Sequence, residues 1–255
     1  MSNPSPPRIA SVFLVLCVTA CTAATAPDVP TAEADAPIQG GIANVDDAAV
    51  GLSRTASGYC SATLIAPDVV LTAGHCVASR VTGFYTTDGT TTATVLHAVK
   101  AQKAFTGYRP GSCPNSTLDI GLLQLTTPIT NITPKRFGDV PEVGATCVAI
   151  GFGRHLEGGV LEREKKRSAT EIVDSFNQSS ILIHGGSGIA DHGDSGGPLL
   201  CGDVIVGTVS CHTDGDGASH QHEYYGRVSE AAAWITSQMQ QWSATAATDG
   251  GAPSL

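Results

Sequence analysis

Charge is scarce in this chain of 255 residues: only 15% are Asp, Glu, Lys or Arg, and 14 basic residues face 23 acidic ones. The resulting pI near 5.2 argues against recognition of nucleic acid or anionic lipid through a basic patch. A disordered chain is excluded by a different measure, since 42% of the residues are apolar. No internal repeat is long enough for a solenoid. Long amphipathic stretches are few, and the apolar run Ile9 to Ala20 is too short to span a bilayer comfortably. What is abundant is Gly, with 29 residues, together with Thr and Val, the composition of short strands joined by tight turns.

The length suits one domain or a pair, with room for a sizeable core. Residues 1–20 read as a signal peptide, with Arg8 and the α-amine supplying its positive start. Val18-Thr19-Ala20-Cys21 has the form of a bacterial lipobox, which predicts cleavage before Cys21 and lipidation of its sulfur. The product would be a lipid-anchored protein of a bacterial envelope membrane. Ala24-Thr25-Ala26 offers the alternative, ordinary cleavage after Ala26 and secretion. Residues 21–37, rich in Pro, Ala and acids, read as a linker or propeptide. Cys17 and Cys21 belong to the export segment, and the six remaining cysteines fit paired thiols in an oxidising compartment.

From Gly58 onward, short apolar segments alternate with turns. Strands are expected at Tyr59 to Ile65, Val69 to Ala73, Gly121 to Leu125, Cys147 to Gly151, Ser180 to His184 and Val204 to Ser210. Such many-stranded patterning suggests barrels or a sandwich. The sign-mixed run Glu162 to Arg167 reads as a solvated loop or edge strand. Val228 to about Gln241 reads as an amphipathic helix with Ser229 as its cap and Trp234, Ile235 and Met239 on one side. The tail from Ser243 to Leu255 is small and polar and is expected to be disordered. Asp214 to Gly217 is a plain turn, and His212, His220 and His222 are too weak a cluster to predict zinc. No cofactor or metal is expected.

The chemistry concentrates in Asp191-His192-Gly193-Asp194-Ser195-Gly196-Gly197-Pro198. Glycines around a serine allow a sharp turn and let a ligand approach the backbone N–H groups, the arrangement needed to attack a carbonyl and hold the oxyanion. Upstream lie Leu71-Thr72-Ala73-Gly74-His75-Cys76 and Leu118-Asp119-Ile120-Gly121. Together the three stretches supply a base, a carboxylate and a nucleophile in the chain order His, Asp, Ser. On these motifs, from about Ile38 to about Trp242, the chain resembles the chymotrypsin-like (trypsin-fold) serine proteases.

That resemblance implies an all-β fold of two antiparallel six-stranded barrels, with the site between them and a C-terminal helix. It implies a monomeric serine endopeptidase acting on polypeptides. Ser195 would be the nucleophile, His75 the general base and acid, Asp119 the residue orienting His75, and the N–H groups of Gly193 and Ser195 the oxyanion hole. It also implies that an activating peptidase cuts before Ile38, whose new α-amine pairs with Asp194. Cys60–Cys76 and Cys147–Cys201 match family bridges. Cys113 and Cys211 match no common pair; a bridge between them is expected, with two free thiols as the alternative.

Several positions depart from the family pattern. Gly74 stands for alanine, Gln39 for valine, Cys211 for tryptophan, and Asp191 for the cysteine of a pocket disulfide. Ala36-Pro37 replaces the basic residue that often precedes the activation site. Ile189 occupies the place where trypsins carry aspartate, so the residue before the scissile bond (P1) is expected to be apolar or small rather than Arg or Lys. Ser210, His212 and Glu223 are expected to complete that pocket. Two other functions compete: a non-catalytic, protease-like binding module, and an esterase, because Gly193 to Gly197 also satisfies G-x-S-x-G. The esterase fold needs its acid and histidine after the serine, and here both precede it.

Overall fold

The computed structural model describes Met1 and residues 38, 40–111, 113–157, 160–213 and 221–249. The expected signal peptide, lipidation site Cys21, linker and Asp214 to Gly217 turn lie outside them. Among the described residues seventeen strands form an eight-stranded sheet, a seven-stranded sheet and a separate two-stranded hairpin, followed by one helix.

The first sheet runs through β6 (Ala93–His97), β5 (Val81–Thr87), β2 (Val50–Thr55), β3 (Tyr59–Ala66), β4 (Val69–Thr72), β8 (Gly121–Leu125) and β7 (Val99–Ala104). In the second, six strands close into a ring: β13 (Arg167–Phe176), β10 (Thr146–Gly151), β15 (Pro198–Cys201), β16 (Val204–Cys211), β17 (His222–Arg227) and β14 (Ser180–Gly185), which pairs back to β13. This ring needs no edge strand to be blunted. Short β1 (Ile42–Ala43) and β9 (Arg136–Phe137) add to its outside, and β11 (His155–Glu157) pairs with β12 (Val160–Glu162) as a separate hairpin. The two-barrel, all-β architecture expected above is the observed one, with β6 as a seventh strand on the first barrel.

Each barrel has its own core. Ala62, Leu64, Val70, Phe84 and Leu123 fill the first; Ala149, Ile181, Ile183, Leu199 and Tyr225 fill the second. A third cluster includes Leu52, Leu71, Ile120, Phe152, Leu200 and Ile205. Ile235 of the helix α1 (Val228–Asp249) is buried in it, and Trp234, Met239 and Trp242 pack against it. Trp234 meets Phe105 edge-on at 5.4 Å. Among the described residues no helix is long and apolar enough to cross a membrane.

Three local expectations need correction. The helix continues to Asp249, past the start of the expected tail, because Ala244, Ala246 and Ala247 are strong helix formers. Ser229 does not act as the expected cap; its hydroxyl donates to Asp139 Oδ1 at 2.9 Å and accepts from Arg227 Nε at 3.1 Å. Lys166 in the charged run is fully buried, its Nζ donating to the Asp47 carbonyl at 2.8 Å and to Thr87 Oγ1 at 3.3 Å. Burial lowers its pKa to about 8.

Candidate active site

Strand register brings the first two motif residues together. β4 and β8 run antiparallel with Thr72 opposite Gly121, so the residues just after Thr72 lie beside those just before Gly121. His75 and Asp119 meet there. The Asp119 carboxylate, 1% exposed, accepts the His75 backbone N–H at Oδ1 (2.8 Å) and faces His75 Nδ1 with Oδ2 at 2.7 Å. A carboxylate at this distance accepts, which places the proton on Nδ1 and leaves Nε2 as the basic nitrogen. The Cys60–Cys76 disulfide ties the turn carrying His75 to β3.

Ser195 comes from the other barrel, on the loop entering β15, and lines the same cleft as His75 and Gly193. Ser61 of β3 grips that loop. Its N–H donates to the Ser195 carbonyl at 2.8 Å, and its hydroxyl donates to the Gly193 carbonyl at 3.0 Å while accepting from the Phe152 N–H at 2.9 Å. No hydrogen bond joins the Ser195 hydroxyl to the His75 ring among the described residues; Nε2 lies 3.6 Å from Cys76 Sγ. Catalytic hydrogen bonds are often long in unliganded enzymes and tighten when substrate binds.

The backbone donors of this loop can be counted. The N–H groups of Asp191, His192, Asp194, Gly196 and Gly197 each reach an oxygen at 2.6–2.9 Å. Among the described residues those of Gly193 and Ser195 do not. Gly193 has φ +101°, and a Cβ there would lie 2.5 Å from the Tyr59 ring, so glycine is required on both counts.

Beneath the loop Asp194 is fully buried, with Gly153 N–H on Oδ1 at 2.7 Å and Asp191 N–H on Oδ2 at 2.9 Å. Burial pushes its pKa up to about 7 despite those donors, and no cation pairs with it among the described residues. Glu171 is a second buried acid, raised to about 8 by burial, accepting from the Tyr225 hydroxyl at 2.6 Å and the Ala190 N–H at 3.2 Å. Ile38 is 2% exposed and packs into the second barrel's core with Ile189 and Ala190.

The smaller pocket beside Ser195 is lined by Asp191, His192, Val209, Ser210, Cys211, His212 and Glu223. Ile189, expected in this pocket, is not among these residues: it is 5% exposed and packs in the core of the second barrel. Ser210 has a second role, donating to Asp119 Oδ2 at 2.7 Å. The His212 ring stands edge-on to His192 at 5.8 Å. All three expected disulfides are formed, including Cys113–Cys211, which joins the β7–β8 loop to the end of β16.

Two neighbours of Asp119 escaped sequence reasoning. The Tyr108 ring covers Gly74, and burial, then the nearby Asp119 charge, pushes its pKa up to about 12. Asn115 Nδ2 lies 3.0 Å from Ser210 Oγ and 3.4 Å from Asp119 Oδ2. The Gly74 departure was the one available signal for the first; nothing flagged the second.

The sequence profile of the family described as Trypsin matches residues 38–235. Trypsin epsilon of Drosophila erecta is 31% identical over 229 residues, covering 78% of this chain and 87% of that protein. Snake venom serine proteinase 14 of Crotalus adamanteus is 26% identical, over 74% and 80% of the respective chains. The solved structure of neuropsin, a serine protease expressed in the limbic system of mouse brain, superposes with a TM-score of 0.65 at 20% identity. It covers 78% of this chain and 98% of that one, a likeness of fold. The sources of these relatives are insect, snake and mammal, and they lend no support to a bacterial origin or a lipid anchor.

Proposed function

Because the chain belongs to the trypsin family of serine proteases, we propose that it cleaves polypeptides through His75, Asp119 and Ser195. In this reading the Ser195 hydroxyl gives its proton to His75 Nε2 as Oγ attacks the scissile carbonyl. The oxyanion is received by the unclaimed N–H groups of Gly193 and Ser195. His75 then passes the proton to the leaving amine, and water repeats the sequence on the acyl-enzyme. Asp119 holds the tautomer and stabilises the imidazolium. The observation that carries the reading is His75, doubly bonded to the buried Asp119, lining the same cleft as Ser195 and Gly193.

The buried Asp194 supports the activation step implied by the family. An isolated buried carboxylate is costly, and an α-ammonium freed at Ile38 would be its partner. The three disulfides fit an exported protein. For the residue before the scissile bond, Glu223, Ser210 and His212 support a small or basic side chain rather than an apolar one. A peptide library varying that residue tests this; a clear preference for Phe or Leu refutes it.

A fluorophosphonate probe tests the central reading. Wild type processed before Ile38 is expected to be labelled and Ser195→Ala not. Absence of labelling in the processed wild type favours the non-catalytic binding module.

A further inference from the structure

We propose that Asn115 is a positioning residue for the catalytic carboxylate, acting through the hydroxyl of Ser210. The inference rests on the triad reading above and adds a residue to it.

Asp119 Oδ2 faces three donors: His75 Nδ1 at 2.7 Å, Ser210 Oγ at 2.7 Å and Asn115 Nδ2 at 3.4 Å. A hydroxyl has one proton to give, and where it goes depends on what occupies its lone pairs. Asn115 Nδ2, a donor only, sits 3.0 Å from Ser210 Oγ. It fills a lone pair and leaves the carboxylate as the target of the Ser210 proton. The amide is assigned with nitrogen inward because its oxygen would oppose a carboxylate there. The same Nδ2 lies 3.4 Å from Asp119 Oδ2, too far for a strong bond but near enough to offset negative charge.

The loop is built to keep Asn115 in place. Cys113, two residues before it, is bonded to Cys211, the residue after Ser210, so one covalent link registers both partners. The Asn115 carbonyl accepts from Ser179 Oγ at 3.2 Å, and the loop is closed at its base by Arg109 N–H on Thr117 Oγ1 at 3.1 Å. Asn115 comes from the loop before β8 and Ser210 from β16, so the pair spans both barrels. Among the described residues, the titratable groups found against Asp119 are His75 and Tyr108, and Tyr108 is held neutral by burial.

Removing the amide frees the Ser210 proton and returns negative charge to Asp119, which favours protonated His75. Asn115→Ala in the processed enzyme is expected to lower kcat about tenfold, the effect of roughly one hydrogen bond to a charged group. KM should change less than twofold, and the acidic limb of kcat/KM should move to higher pH. Asn115→Asp, nearly isosteric, should move that limb further and displace the low-field NMR proton of the His75–Asp119 bond. If Asn115→Ala does not fold, these two readouts on Asn115→Asp decide alone. An unmoved limb with kcat within twofold of wild type, in protein retaining three disulfides, overturns the proposal while leaving the triad intact. Loss of fluorophosphonate labelling in wild type itself would remove the triad reading and this proposal with it.

Discussion

Replacing Gly74 by the alanine usual in the family should damage this protein, although the change adds one methyl group. A Cβ built on Gly74 would lie 2.9 Å from Tyr108 Cγ, 3.1 Å from Cδ2 and 3.0 Å from Asp119 Oδ1. The first is shorter than a packed interior tolerates and the other two are tight, so the ring must shift and the carboxylate must give by a few tenths of an ångström. Neither is free to do so. Tyr108 sits in a loop closed by the Cys113–Cys211 bond, and its N–H is held by the Phe105 carbonyl at 2.8 Å. Asp119 is fixed by His75 and Ser210. Overpacking of this kind costs about 1–3 kcal/mol, and each kcal/mol lowers Tm by roughly 2–4 °C in a domain of this size. Displacement of Asp119 should also lower kcat. The assay is a double-mutant cycle measuring Tm and kcat/KM for Gly74→Ala, Tyr108→Ala and the pair. The double variant is expected to recover at least about 1 kcal/mol relative to additivity, because Tyr108→Ala removes the obstacle. Additive effects, or an unchanged Tm in Gly74→Ala, would refute the argument that Tyr108 is the reason for the glycine.

Other outcomes can be checked in the same protein. In the intact chain, Asp194 near 7 and Glu171 near 8 both lie above their unfolded values of about 4, so folding is favoured while they are protonated. That stability is fully present below about pH 4 and is lost as pH rises through about 7 to 8. Thermal melts of uncleaved Ser195→Ala against pH should show the decline, and Asp194→Asn should flatten part of it; a pH-independent Tm over that window contradicts the assignment. The Cys113–Cys211 bond closes a loop of 98 residues in sequence separation, so Cys113→Ser with Cys211→Ser should cost roughly 2–5 kcal/mol by denaturant titration. A loss under about 1 kcal/mol would mean the crosslink constrains little.

The fold was legible where a local pattern carried it. β8 was expected at the residues it occupies, and β3, β4, β10, β14 and β16 differ by one residue or so at their ends, since each is an apolar run between turn residues. β7 was missed because its side chains are half-buried or exposed and it reads Val-Lys-Ala-Gln-Lys-Ala without alternation. Lys166 was misjudged because burial of an ammonium depends on a carbonyl from Asp47, 119 residues away. Ile189 went astray for a similar reason: an alignment position places a backbone, while the rotamer and neighbours decide whether a side chain meets the pocket or the core. Asn115 left no trace at all. Its significance comes from Ser210, 95 residues on, and no spacing rule connects a loop amide to a strand hydroxyl.

The Ser61 hydroxyl couples two geometries that are usually considered apart. Through one oxygen it links the peptide after Gly193 to the N–H of Phe152, while its own strand belongs to the half of the molecule that carries His75. In the proposed mechanism, any shear of one half against the other therefore pulls on the peptide groups that would receive the developing negative charge. Cleft width and transition-state binding cannot drift independently, so a mutation far away that loosens the seam should be felt first as a weakened grip on the tetrahedral intermediate.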